Sequence, residues 1–138
     1  MDVLFLIGRI LFVALFAGSA VGHLTNTGAM AGYAQSRGLP AARPAVLVTG
    51  VQIAIGALLV LLGIWMDLGL ILLALFLLGT AFLIHSFWRD SDPGKRFEEQ
   101  LQFMKDLALA GAAIALLAAV WIIGDDLGLT ITGPLFNP

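Results

Sequence analysis

HSFWRDSDPGKRFEEQLQFMKD, residues 85–106, decides how this chain folds. Nine of the sixteen formal charges fall within it, and long apolar segments flank it on both sides. A charged loop between two greasy runs reads as the connection between two membrane-spanning helices. His85 and Trp88 close the segment before it. Gln102, Lys105 and Asp106 open the segment after it. Ser91 and Asp92 offer an N-cap and Pro93 a first helical position, so a new helix starts here.

The rest of the chain agrees. Of 138 residues, 60% are hydrophobic and only 12% charged, and mean hydropathy is +1.01. Water-soluble domains carry about one-quarter charged residues. So much apolar surface needs lipid as its solvent. A net charge of −2 gives no case for nucleic-acid binding. The absence of cysteine excludes disulfides, thiolate nucleophiles and Cys-ligated zinc or iron–sulfur clusters within the chain.

A spanning helix needs about 20 apolar residues. Four segments qualify, over about 3–23, 44–66, 68–88 and 93–124. Asp2 precedes the first and Arg9 lies inside it, which argues for a retained helix over a secretory signal. The fold class expected is all-α, an integral membrane four-helix bundle forming a single domain. Between the first two spans, Thr25–Thr27 and Gly38 bracket a short helix expected at the interface, with Tyr33 and Arg37 at headgroup level. The last span is long enough for its first turns to project from the hydrocarbon. There Phe97, Leu101 and Met104 form an apolar side, with Lys95, Glu98 and Glu99 turned away.

In the first span Arg9, Phe12, Phe16, Ser19 and His23 form one stripe. Ala14, Gly18 and Gly22 form a small-residue row. It is read as packing within one chain, with a homo-oligomer seam as the alternative. Gly111, Ala115 and Ala119 form a similar row in the last span. Arg9 is expected to pair with Asp67, Asp125 or Asp126 near one surface. The short loops after the first and third spans hold Arg37, Arg43, Arg89, Lys95 and Arg96, and the opposite side holds no basic loop residue. Basic loops stay in the cytoplasm, so both termini are expected in the periplasm.

With that orientation His23, Gln52, His85, Gln102, Lys105 and Asp106 share the cytoplasmic third. Polar groups at membrane depth are costly and mark candidate functional sites. His85, Gln52 and Asp106 are expected to line one cavity opening sideways to lipid, with His23 at its mouth and Trp88 as an apolar wall. A quinone or a lipid headgroup suits such a pocket. The competing reading is structural, with the histidines and Lys105 as interfacial anchors. A bis-histidine haem between His23 and His85 has no supporting cue, and no metal-ligand spacing is present. No nucleotide loop, nucleophile elbow or HExxH appears, so no catalytic set is assigned.

GRILFVALFAGSAVGHL, GYAQSRGLP, GVQIAIGALLVLLG, HSFW and FMKDLALAG, in this order, resemble the DoxX family of small four-helix bacterial membrane proteins. The resemblance implies a bacterial inner-membrane protein. Some relatives are similar to subunits of thiosulfate:quinone oxidoreductases, and others are linked to oxidant defence. It implies a quinone as the ligand and a soluble or membrane redox partner, with this chain as an anchoring or quinone-binding subunit. A non-enzymatic scaffold or lipid-binding protein is the alternative. The chain departs from the family pattern at three positions. Gln52 stands where Glu is frequent, His23 where Lys is frequent and Asp106 where Asn is common. Without cysteine, sulfur chemistry would require a partner.

Overall fold

The computed structural model describes residues 1–136. Asn137 and Pro138, the end of the expected tail, lie outside the described residues. Five α-helices follow in order: α1 (Asp2–Thr25), α2 (Thr27–Ser36), α3 (Ala42–Leu62), α4 (Met66–Leu83) and α5 (Pro93–Ile123). Four of them are long and apolar enough to cross a membrane, and α2 is the short interfacial element. The all-α architecture expected from the sequence is therefore present. α5 starts where the N-cap chemistry placed it, with the Asp92 carboxylate accepting the Lys95 N–H at 2.8 Å. Its 31 residues make a rod about 46 Å long at 1.5 Å per residue, longer than the hydrocarbon layer.

The helices pack in chain order. α1 lies on α3, α3 on α4 and α4 on α5, while the backbone of α1 keeps away from those of α4 and α5. Side chains of the shared core, Phe16 among them, close that side except toward one end. Gly56 and Gly69 make the α3–α4 crossing tight: a Cβ on Gly69 would lie 2.9 Å from the Gly56 carbonyl oxygen. The core runs through Val13, Phe16, Ile53, Val60, Leu70, Leu73, Leu77 and Val120. The stripe of α1 faces inward, with Arg9, Phe16 and His23 buried and Phe12 and Ser19 half-buried.

The small-residue rows do not behave as expected. Ala14 and Gly18 are exposed, and a Cβ on Gly18 would meet nothing. Gly111 and Ala115 are exposed as well. The buried side of α1 runs instead along Val13, Phe16, Ala20 and His23, and only Gly22 and Ala119, half-buried, take the inward place expected of the rows.

The third span covers Met66–Arg89, close to the expected 68–88, but its regular helix α4 ends at Leu83, five residues before Trp88. The cause is Arg37. Its Nε donates to the Ile84 carbonyl at 2.6 Å and its Nη2 to the Ser86 carbonyl at 3.1 Å, and Phe87–Arg89 follow as a 3₁₀ turn. Arg37 is buried, not spread among headgroups. The turn between α3 and α4 also comes earlier than expected. Gly63 ends α3 with φ 64°, the left-handed conformation that glycine adopts without penalty.

Both termini and the α3–α4 turn share one end. There the segment after α5 folds back over the bundle. Ile131 and Thr132 donate backbone N–H to the Gly63 carbonyl, and Leu135 and Phe136 donate theirs to Asp67 at 2.9 and 2.7 Å. The expected ion pair of Arg9 is not formed. Arg9 Nη2 donates to the Leu129 carbonyl at 2.6 Å, because Asp67 is already occupied by the tail. Leu129 presents that carbonyl from a left-handed backbone, φ 56°. Arg9 is 2% exposed, and its Nε and Nη1 have no partner among the described residues.

Candidate ligand-binding site

At the other end the bundle opens into a cavity of about 1020 Å³. It lies where α1 parts from α4 and α5, and α2 and α3 also contribute to its walls. His23, Gln52, His85 and Asp106 all line it. Leu15, Leu75 and Leu83 belong to the same lining and are exposed, so its rim is apolar. Lys105 lines it too, with its side chain half exposed.

α1 presents His23 from one turn above Ser19. The ring Nδ1 lies 2.8 Å from the Ser19 carbonyl, and Phe76 meets the ring edge-on at 5.7 Å. Gly50 of α3 lets α1 come close here, since a Cβ on it would lie 2.8 Å from His23 Cβ. Gln52 points inward, as a lone amide in lipid must. Its Nε2 donates across to the Leu72 carbonyl of α4 at 2.8 Å. Thr49 and Thr80 donate their hydroxyls to carbonyls of their own helices.

His85 sits on the unwound end of α4, between two acids of α5. Its Nδ1 is 2.8 Å from Glu99 Oε2, and its Nε2 is 3.9 Å from Asp106 Oδ2. The second distance is too long for a hydrogen bond. Glu99 Oε1 accepts the hydroxyl of Tyr33 from α2. The phenol is held above its ordinary pKa by burial and then by the Glu99 carboxylate. Asp106 is 4% exposed, and its carboxylate pairs with the Lys105 ammonium at 3.7 Å.

Behind this group Arg37 forks onto Asp90, both oxygens at 2.9 Å. Burial alone would raise the Asp90 carboxyl, but Arg37, with Lys95 at 3.4 Å, holds it below the usual carboxylate range. The fork fixes residues 84–90, and so fixes where His85 stands.

Trp88 is not a wall of the cavity. It packs outside the lining on Phe87 and Phe103, with ring centroids 5.2 and 5.6 Å away. The early end of α4 turns residues 87–89 into a separate 3₁₀ turn and carries the indole off the helix face that holds Thr80. Glu99 was missed in the sequence, where it was grouped with Glu98 as solvent-facing. It lies three and seven residues before Gln102 and Asp106, so helical spacing already placed it on the Asp106 side. Nothing in the pattern announced the Arg37–Asp90 fork, which joins residues far apart in the chain.

A family model for DoxX matches residues 4–86, more than half of the chain. His23, Gln52 and His85 fall inside the matched stretch, and Glu99 and Asp106 beyond it. No curated protein and no solved structure matches the chain.

Proposed function

The chain belongs to the DoxX family, and on that premise we propose that it is a ligand-binding membrane subunit of a redox complex. Its ligand is a quinone-type ring that enters from the lipid. One observation carries this reading. His23, Gln52, His85 and Asp106, from four different segments of the chain, converge on one cavity rimmed by exposed leucines. A pocket that is mostly apolar with a few converging polar groups is the usual form of a small-molecule site. Its volume also suits a ring with the start of an isoprenoid tail, since such sites commonly span about 300–1,000 Å³.

The same reading places the protein in a bacterial inner membrane with the cavity in the cytoplasmic half. It is supported by two features: both termini lie at one end, and at the other Arg37 and Arg89 lie between helices while Arg43, Lys95 and Arg96 lie in the first turns of α3 and α5. Positive residues mark the cytoplasmic side. A reporter active only in the periplasm, fused after Pro138, is expected to be active. Silence there, with activity from a fusion at residues 91–96, would invert the orientation.

For the site, the protein is extracted in mild detergent and its bound small molecules are identified by mass spectrometry. Wild type is expected to retain a quinone-type lipid and His85→Ala to lose it while keeping its helical circular dichroism. Retention of none by wild type, even after quinone is added back, would leave the scaffold reading in its place.

A further inference from the structure

The glycines of the spanning helices sort by what faces them. Gly50, Gly56 and Gly69 stand where helices touch: a Cβ on them would lie 2.8, 3.0 and 2.9 Å from an atom of a neighbouring helix. A Cβ on Gly22 would touch Met30 Sδ at 3.9 Å. On Gly8, Gly18 and Gly111 it would meet nothing, but these three are exposed on the outside of the bundle. Gly79 of α4 fits neither group. It is half-buried and lines the cavity, yet a Cβ on it would meet nothing within 4 Å among the described residues. Glycine is a poor helix former, and within a helix it is accounted for where another backbone or a ligand must come close. No neighbour in the chain uses the space in front of Gly79.

The surrounding wall gives that space a shape. Leu75, Phe76, Thr80 and Leu83 line the cavity within one turn of Gly79 along α4. Phe76 meets the His23 ring edge-on, and His85 follows on the unwound end of the helix, beside the Asp106–Lys105 pair. Gly79 thus lies between the level of His23 and the level of His85. A notch in a mostly apolar wall, with polar groups beyond both its ends, lets a flat ring lie against bare helix backbone.

We infer that Gly79 sets the size of the ring this cavity admits, the ring lying in the notch left by the missing side chain. This rests on the proposed function and adds the residue that selects among ligands of that class. Fold and ligand then make opposite demands on one position. A methyl group there strengthens α4 and narrows the slot. A glycine kept for packing would behave in reverse, because a larger side chain would strain the bundle.

The test uses the full chain in mild detergent, with thermal unfolding and equilibrium dialysis as readouts. The probes are a short-tailed benzoquinone, with one ring, and a short-tailed naphthoquinone, with two. Wild type is expected to bind both. Gly79→Ala is expected to unfold a few degrees higher, since alanine is the better helix former. It should weaken the naphthoquinone about tenfold and the benzoquinone clearly less. Gly79→Leu is expected to bind neither probe while unfolding no lower than wild type. Gly111→Leu, at an exposed glycine of α5 outside the cavity lining, is the control and should bind both probes as wild type does. Three results would overturn the inference and leave the quinone-type site standing: wild-type binding by Gly79→Leu, an equal loss for the two rings in Gly79→Ala, or a loss that comes with a lower unfolding temperature. Binding of neither probe by wild type would overturn both.

Discussion

The two ends of the bundle handle buried charge in opposite ways. At the tail end, Asp67 is fully buried and is used up by backbone: two N–H groups of the returning tail and the Trp121 indole. Arg9 likewise meets a backbone carbonyl. That end is closed over by its own chain. At the other end Arg37 meets backbone and a carboxylate, but Asp106 and His23 keep free atoms around a cavity. The difference lies in what is left over. At the tail end Asp67 serves to pin a segment and is structural, although Arg9 Nε and Nη1 find no partner among the described residues. Where a buried carboxylate faces empty volume, it is held for something else.

The largest effect is expected from Arg37→Ala. It removes the Asp90 fork and the donors to the Ile84 and Ser86 carbonyls. Bonds from a charged group to those two carbonyls are worth about 1.5–3 kcal/mol each. The variant should unfold at clearly lower temperature in detergent, and residues 84–90 should lose hydrogen-exchange protection first. Unchanged protection there would mean that the unwound end of α4 does not depend on the arginine.

Acid should do the same more gently and at this end. Asp90 has a folded pKa below its unfolded value, so the stability it contributes is present above about pH 4 and lost as pH falls through the folded pKa. Thermal unfolding should therefore be flat from neutral pH to about 4.5 and decline below it. Asp90→Asn should remove much of that decline. A decline centred near neutral pH would point to another group.

Asp67→Ala tests the tail end. It leaves the N–H groups of Leu135 and Phe136 without their acceptor, at a cost of about 1–3 kcal/mol. Residues 129–136 should become open to protease while retention of a quinone-type ring at the distant cavity stays as it was. A fall in that retention would show that the two ends are not independent.

How much of this was legible in the sequence follows from the range of each interaction. Local signals worked. The Asp92 cap, the Gly63–Gly69 turn to within a few residues and the inward stripe of α1 each depend on neighbours within two turns. Helix rise also set His23, Gln52, His85 and Asp106 at one level of the bundle, and all four line one cavity. What failed depended on distant partners. Arg37 was set among headgroups because Asp90 and Ser86 are some fifty positions away. Arg9 was paired with an acid because the tail had no pattern to show that it folds back onto Asp67. Trp88 was misplaced because a helix was continued through residues whose carbonyls Arg37 takes. The small-residue rows were read as inner packing, yet in lipid an exposed glycine costs little and its small size alone does not say which side it faces.

The smallest effect is expected at Gln52, and it sharpens the comparison most because this residue shares both habits. Its Nε2 is bonded to a backbone carbonyl, as at the tail end, while its Oε1 is free beside the cavity. Leu72 O already accepts within α4 as part of a helix, so the amide adds a second bond to an oxygen that is not left bare without it. Side-chain hydrogen bonds between membrane helices average only about 0.6 kcal/mol. Gln52→Leu should thus change unfolding free energy by about that amount or less, and the apolar side chain should offset part of it. Affinity for a quinone-type ring should still fall several-fold, because one polar group on the wall is gone. Gln52→Glu separates the two roles: it keeps an oxygen toward the cavity and loses the donor to Leu72. It should retain binding better than Gln52→Leu in the same detergent. If Gln52→Leu instead cost several kcal/mol and left binding unchanged, Gln52 would belong with Asp67, as a clamp between α3 and α4, and the site would reduce to the two histidines and Asp106.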